Sequence, residues 1–177
     1  MRITVNGGHC PGTDPGAIGS RVTEAEICRE LMELVGSFLR DSGYEVMTVQ
    51  SDELEAVAAA SNGFDSDLFV SIHCNAASNT AACGTEVYAM SDEGVLLADC
   101  IRERVLSAGD FCDRGTKDGR HLYVINQTEA TAVLLETAFI TNFDDETLLI
   151  EYIGELALAI SDGISDFIYG RGEDSNG

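Results

Sequence analysis

The sequence contains few basic residues. Only 10 of its 177 residues are lysine or arginine, against 31 aspartates and glutamates, so the formal net charge is −21. A chain this acidic is repelled by phosphate backbones and by anionic lipid. We therefore do not expect nucleic acid as a partner. We interpret the excess of acidic residues as a feature that keeps the protein in solution.

The sequence also lacks a long apolar run and a recognisable targeting segment. Its apolar stretches are short, and none approaches the roughly 20 residues that a membrane span needs. The start of the chain has no charged region followed by an apolar stretch and a small-residue cleavage site. We therefore expect no membrane span, and either synthesis in the cytoplasm without a signal peptide or a mature or trimmed form of the protein.

The six cysteines form no C-x-x-C pair, and their spacing matches no structural zinc ribbon. A chain of 177 residues can bury a substantial core without a disulfide scaffold. The default expectation is therefore one domain with free, mostly buried thiols in a reducing compartment.

Strand-like and helix-like segments alternate along the chain. This alternation predicts a single α/β domain, with a twisted, mostly parallel or mixed sheet of about six strands and helices on both faces. The domain covers residues 1–169, and the polar, glycine-rich residues 170–177 are interpreted as a flexible tail or linker stub. The predicted strands are 2–6, 44–49, 68–72, 84–89, 122–125 and 132–136; the predicted helices run from the N-cap Thr23 to Ser42 and over 52–60, 95–106, 144–152 and 155–168.

Metal-binding or acidic side chains follow three of the predicted strands. His9 comes shortly after the first strand, His73 directly follows the buried strand 68–72, and Glu136 ends the strand 132–136. Glu24 opens the first helix, just past a loop rich in glycine. Because the carboxyl ends of strands in an open α/β sheet meet at one crevice, we expect these four side chains to converge.

Two imidazoles and one carboxylate form the ligand set of a catalytic zinc site, which keeps a fourth position for water. His9, Glu24 and His73 fit that role, with one Zn²⁺ as the cofactor. Glu136 fits a general base that moves a proton from water to a leaving amine. Cys10 and Cys74 follow the two histidines and could supply a thiolate instead, although neighbouring side chains in an extended chain usually point apart.

Several segments resemble, in the same order, the zinc-dependent N-acetylmuramoyl-L-alanine amidases, the type-3 catalytic domains of bacterial wall hydrolases and phage endolysins. The resemblance runs from the first strand to the last helix. The segments that carry it are 5–9, 14–19 and 23–24 near the start, then 67–76, 84–88, 114–117 and 122–125, and finally 132–142 around Glu136.

The resemblance implies a zinc hydrolase whose substrate is peptidoglycan. Its ligands map onto His9, Glu24 and His73, and its acid–base residue maps onto Glu136. The bond cut joins N-acetylmuramic acid to L-alanine of the stem peptide. Asn75 is a candidate cleft residue. His121 either lines the cleft, where it could donate a hydrogen bond to the developing oxyanion, or is an exposed loop residue.

Two other functions stay open at this point. One is a different zinc-dependent peptidase or deacylase that uses the same three ligands. The other is a non-catalytic wall-binding module on the same fold. The predicted setting is the cell wall, reached after release or export. It fits a phage or prophage endolysin, and it also fits the catalytic domain of a larger protein with a signal or a wall-binding module. The sequence does not indicate the oligomeric state.

Overall fold

The computed structural model describes the backbone of residues 1–174 and the side chains of residues 1–170. Within that part of the chain, six strands form one sheet and six helices flank it. The strands are β1 (Arg2–Gly7), β2 (Glu45–Gln50), β3 (Leu68–Asn75), β4 (Thr85–Ala89), β5 (Asp113–Asp118) and β6 (Thr131–Phe139). The helices are α1 (Glu24–Asp41), α2 (Leu54–Gly63), α3 (Asp92–Ala108), α4 (Tyr123–Gln127), α5 (Phe143–Glu151) and α6 (Ile153–Asp174).

The sheet has the strand order β2-β1-β3-β6-β4-β5. Neighbouring strands are parallel except β4 and β6, which pair antiparallel. This mixed six-stranded sheet confirms the predicted fold class. The order places the carboxyl ends of β1, β3 and β6 side by side, and so positions the residues that end them.

The two faces of the sheet are covered differently. The main core lies between one face and the helices α1, α3 and α6, and it includes fully buried Val5, Leu31 and Ile101. A smaller core, around Phe69 and Ile125, lies under α2 and α4 on the other face. Leu134 of β6 belongs to this smaller core, so Glu136, two residues further along the strand, lies on the same face at its carboxyl-terminal end.

The predicted strand 122–125 is wrong. This segment instead forms the short helix α4, which buries Val124 and Ile125 against the sheet. A four-residue apolar run fits one turn of helix as well as a short strand, so periodicity could not separate the two. The fifth strand along the chain is instead β5, whose sequence DRGTKD is almost entirely polar. It is polar because it is an edge strand and its side chains are mostly at or near the surface.

The start of helix α1 has the N-cap that was predicted at Thr23. Its side chain accepts a hydrogen bond from the backbone N–H of Glu26, whose carboxylate accepts one from the N–H of Thr23. Helix α6 extends to Asp174, further than predicted, and residues 175–177 of the predicted tail lie outside the described residues. No helix in the described part is long and apolar enough to cross a membrane.

Candidate metal centre and cleft

The structure brings together the three predicted metal ligands. His9 follows β1, Glu24 is the first residue of α1, and His73 lies in β3. Each offers one donor atom, and these atoms all lie within 4.8 Å of one another. Among the described residues no other histidine, cysteine or acidic side chains form such a group. Two nitrogens and one carboxylate oxygen at this spacing fit a single zinc ion.

Glu24 lies at the centre of the group and is buried, with 4 % of its surface exposed. Its Oε2 lies 3.1 Å from His9 Nε2, and its Oε1 lies 3.0 Å from His73 Nδ1. The backbone N–H groups of Ala17 and Cys74 also donate to it. Burial opposes ionisation, but the hydrogen bonds from His73, His9 and Ala17 outweigh burial and hold the pKa of Glu24 well below its usual range.

His9 is held in place from two sides. Its backbone has a φ of 56°, a left-handed conformation that a non-glycine residue rarely adopts. Its Nδ1 lies 2.7 Å from Asp14 Oδ2, so a proton on Nδ1 leaves Nε2 free to bind a metal. The hydrogen bond with Glu24, opposed by burial and helped by Asp14, raises the pKa of His9 to about 9. Metal binding would therefore displace a proton from this ring.

Two glycines allow the chain to pass close to the histidine rings. A Cβ on Gly8 would lie 2.3 Å from Cε1 of His73. A Cβ on Gly16, whose φ is +64°, would lie 2.6 Å from Cδ2 of His9. No side chain fits at either position without moving a ring. The glycine-rich loop therefore wraps the candidate site, as its sequence suggests.

Glu136 lies beside this group. In the sheet it is the partner of His73 on β3 and of Glu86 on β4. Its Oε2 is buried without a hydrogen-bond partner among the described residues. Burial, together with the negative charges of Glu24 and Glu86, outweighs the attraction of His73 and raises the pKa of Glu136 to about 7. A carboxyl group with that pKa exchanges a proton near neutral pH.

The two candidate cleft residues both contact side chains of β4. Asn75 ends β3, and its Nδ2 donates a 2.9 Å hydrogen bond to Glu86 Oε1. His121 is exposed, and its ring contacts that of Tyr88 edge to face at 5.9 Å. His121 is therefore exposed and lies beside Tyr88, and it does not belong to the candidate metal group. Its role in a cleft stays a prediction.

The cysteines do not join the candidate metal group. Cys74 is buried beside Cys28 in the core, and Cys10 is partly exposed. The expectation that most thiols are buried is wrong, since only Cys28 and Cys74 are. Cys83 and Cys112 are in contact near the surface, with their sulfur atoms 2.9 Å apart.

The sequence interpretation missed a second polar cluster, centred on Glu86. This carboxylate is 3 % exposed and accepts hydrogen bonds from four side chains. The signal was present in the strand sequence TEVYA, where an acid stands in an otherwise mostly apolar strand. The donors are Asn75, Tyr88, Arg114 and Lys117.

The three-ligand group could hold a metal ion, and the neighbouring carboxyl could move a proton, which together is the arrangement of a hydrolase site. Comparison with known proteins specifies the family. The sequence profile of the N-acetylmuramoyl-L-alanine amidases matches residues 3–166. The chain belongs to this family, which confirms the predicted resemblance.

Individual relatives agree with this assignment. The chain is 35 % identical to YqiI, an uncharacterized protein of Bacillus subtilis, over 93 % of this chain and 84 % of YqiI. It is 33 % identical to the N-acetylmuramoyl-L-alanine amidase LytC of the same organism, over 91 % of this chain but only 34 % of LytC. The solved amidase AmiC2 of Nostoc punctiforme superposes with a TM-score of 0.89 at 28 % identity, covering 96 % of this chain and 97 % of AmiC2.

Proposed function

We propose that this domain hydrolyses the amide bond between N-acetylmuramic acid and L-alanine in peptidoglycan, with one zinc ion held by His9, Glu24 and His73. The observation that carries the proposal is the placement of this three-ligand group beside Glu136 at the carboxyl ends of β1, β3 and β6. Family membership supports the choice of substrate. The endolysin setting stays a prediction.

The donor set suits zinc because it combines imidazole nitrogens with a carboxylate oxygen and includes no sulfur. When bound, a zinc ion would supply Lewis-acid polarisation and a water molecule of lowered pKa. Asp14 fixes the ring orientation of His9, and the backbone N–H groups of Ala17 and Cys74 fix the Glu24 carboxylate. These contacts hold the ligands in place before any metal binds.

Glu136 moves the proton. A carboxylate here accepts a proton from the attacking water and, once protonated, delivers it to the amine nitrogen of L-alanine as the amide bond breaks. A pKa of about 7 lets one residue take both roles near neutral pH. The unpartnered Oε2 supports this role, because it has no structural hydrogen bond to maintain.

Three variants test the proposal. His73→Ala should lose both zinc and hydrolysis of purified peptidoglycan, whereas His121→Ala, which removes a histidine outside the metal group, should retain zinc. Glu136→Gln should retain zinc and lose turnover by about 10²- to 10⁴-fold. Zinc is measured by elemental analysis of the purified proteins. Zinc and hydrolysis that persist in His73→Ala would contradict the ligand assignment.

Product analysis separates the amidase from the two alternatives. New amino-terminal L-alanine with unchanged sugar reducing ends identifies the amidase. Cleavage within the peptide, or release of an acyl group from the sugar, would instead identify another zinc hydrolase. A zinc-loaded protein that binds peptidoglycan without cleaving it would identify a wall-binding module.

A further inference from the structure

We propose that Arg114 and Lys117 form a binding site for a free carboxylate of the stem peptide. The site lies on the sheet surface beside Glu136, at the edge formed by β5. The inference rests on the proposed function, because it takes the peptide part of that substrate as its ligand.

The first observation is a row of polar side chains across adjacent strands. Glu136 of β6 pairs with Glu86 of β4, and Tyr88, two residues further along β4, pairs with Lys117 of β5. Residues two apart on a strand share a face, so Glu86 and Tyr88 point the same way. The row therefore runs from the candidate metal group through Glu136 to the two cations.

The second observation is that the two cations are held in place. Arg114 Nε donates a 2.7 Å hydrogen bond to Glu86 Oε2, and the ammonium group of Lys117 donates to the same oxygen. The guanidinium of Arg114 also stacks 4.8 Å from the centre of the Phe139 ring. The other oxygen of Glu86 accepts from Asn75 and Tyr88. The cluster is thus assembled before any ligand arrives.

The third observation concerns charge. Two cations, Arg114 and Lys117, share one buried carboxylate, so these three side chains together carry one net positive charge. In a chain with net charge −21, this is a place where cations outnumber the acid that they bind. Lys117 is also the only lysine in the sequence.

The remaining donors face solvent. The side chains of Arg114 and Lys117 are 36 % and 37 % exposed. An ammonium has three N–H donors and a guanidinium has five, so the bonds to Glu86 leave several free. Carboxylates are the peptide groups that such donors bind best.

The spacing suits a peptide. Adjacent strands lie about 4.8 Å apart, so β5 lies about 10 Å from β6 and its Glu136. An extended peptide covers that distance in about three residues. The carboxylate that the site would reach therefore belongs to the second or third residue of the stem. This fits the α-carboxylate of D-isoglutamate, which follows L-alanine.

A matched pair of ligands tests the inference. The two ligands are N-acetylmuramoyl-L-alanyl-D-isoglutamate and N-acetylmuramoyl-L-alanyl-D-isoglutamine, each with its γ-carboxyl capped as the methylamide. The first carries the free α-carboxylate, and the second carries a neutral amide in its place, so they differ in this group alone. Binding of both to the zinc-loaded Glu136→Gln protein is measured by calorimetry, so that the ligand is not consumed. We expect the carboxylate form to bind about fivefold more tightly.

Substitutions in the same background locate the site. Lys117→Gln should remove most of the preference for the carboxylate, and Lys117→Arg should keep it. Arg104→Gln removes the same charge from the distant Arg104–Asp166 pair and should also keep the preference. Equal binding of the two ligands, or a preference that survives in Lys117→Gln, would overturn the inference.

The two proposals fail in different ways. If the zinc-loaded wild-type protein cleaves neither ligand nor peptidoglycan, the proposed function is wrong. The difference in affinity between the carboxylate and amide ligands then still shows whether Arg114 and Lys117 bind a carboxylate. If it cleaves both ligands with equal kcat/KM and binds them equally, the function stands and the carboxylate site is wrong.

Discussion

The Glu136 carboxyl lies in surroundings that favour its neutral form. Its pKa is raised to about 7 from an ordinary value of 4.5. Ionisation therefore costs the folded chain more than the unfolded chain. The stability that this group contributes is present below its ordinary pKa and is lost as the pH rises to about 7.

The variant Glu136→Gln removes this titration. In the metal-free protein, we expect the variant to be more stable relative to wild type at about pH 8.5 than at about pH 5. The difference in the free energy of unfolding should be larger at the higher pH by about 1–2 kcal/mol, after allowance for solvent screening. Urea unfolding at the two pH values measures this difference. A difference that does not change with pH would show that Glu136 titrates normally.

The convergence of the four candidate site residues was predictable because each follows or opens a regular element. His9, His73 and Glu136 stand at or near the carboxyl ends of strands, and Glu24 opens α1. Glu86 was missed because an acid on an alternating strand usually faces solvent, so the acid in the sequence TEVYA was a weak signal on its own. Only its pairing with Glu136, which depends on the antiparallel direction of β4, shows that it lies in the cleft.

At the level of elements, the loop around the candidate metal group is fastened to α5. The buried carboxylate of Glu146 accepts hydrogen bonds from the Ser20 hydroxyl and from the backbone and side chain of Arg21. Gly19 passes so close that a Cβ there would lie 2.3 Å from Glu146 Oε1. This contact fixes the loop that carries Asp14.

Removal of this contact should loosen the loop. We expect Glu146→Ala to lower the free energy of unfolding by about 1–3 kcal/mol, since it removes the hydrogen bonds that Ser20 and Arg21 donate to a buried carboxylate. Limited proteolysis should then cut within residues 10–22 faster than in wild type. Glu151→Ala, an exposed acid on the same helix, is the control. Equal stability and equal cutting in the two variants would contradict this role.

Helices and strands differed in how well the sequence predicted them. The apolar strands and the long amphipathic helices carried clear periodicity, and the capping box at Thr23 marked the start of α1. The edge strand β5 and the short helix α4 carried none. Their conformations follow from tertiary neighbours, which local pattern does not contain.

At the scale of the whole molecule, the net charge of −21 opposes approach to an anionic cell wall. Salt screens this repulsion, because the Debye length falls from about 30 Å at 0.01 M to about 8 Å at 0.15 M ionic strength. We therefore expect binding to sedimented Gram-positive walls to increase over that range.

A soluble substrate, N-acetylmuramoyl-L-alanyl-D-isoglutamine, is not part of a charged polymer and provides the comparison. Its hydrolysis should change far less with salt than binding to the wall does. Wall binding is measured by co-sedimentation at each ionic strength. Tight binding at low salt that weakens as salt is added would show that local attraction outweighs the overall charge.

The single lysine has a practical consequence for anyone who labels or immobilises this protein. Reagents that modify lysine amines can react with only one side chain, and that side chain is Lys117, hydrogen-bonded to Glu86 beside the cleft. A dye or a bead attached there would occupy the approach to Glu136. The exposed thiol of Cys112, which lies in contact with Cys83, offers a different point of attachment.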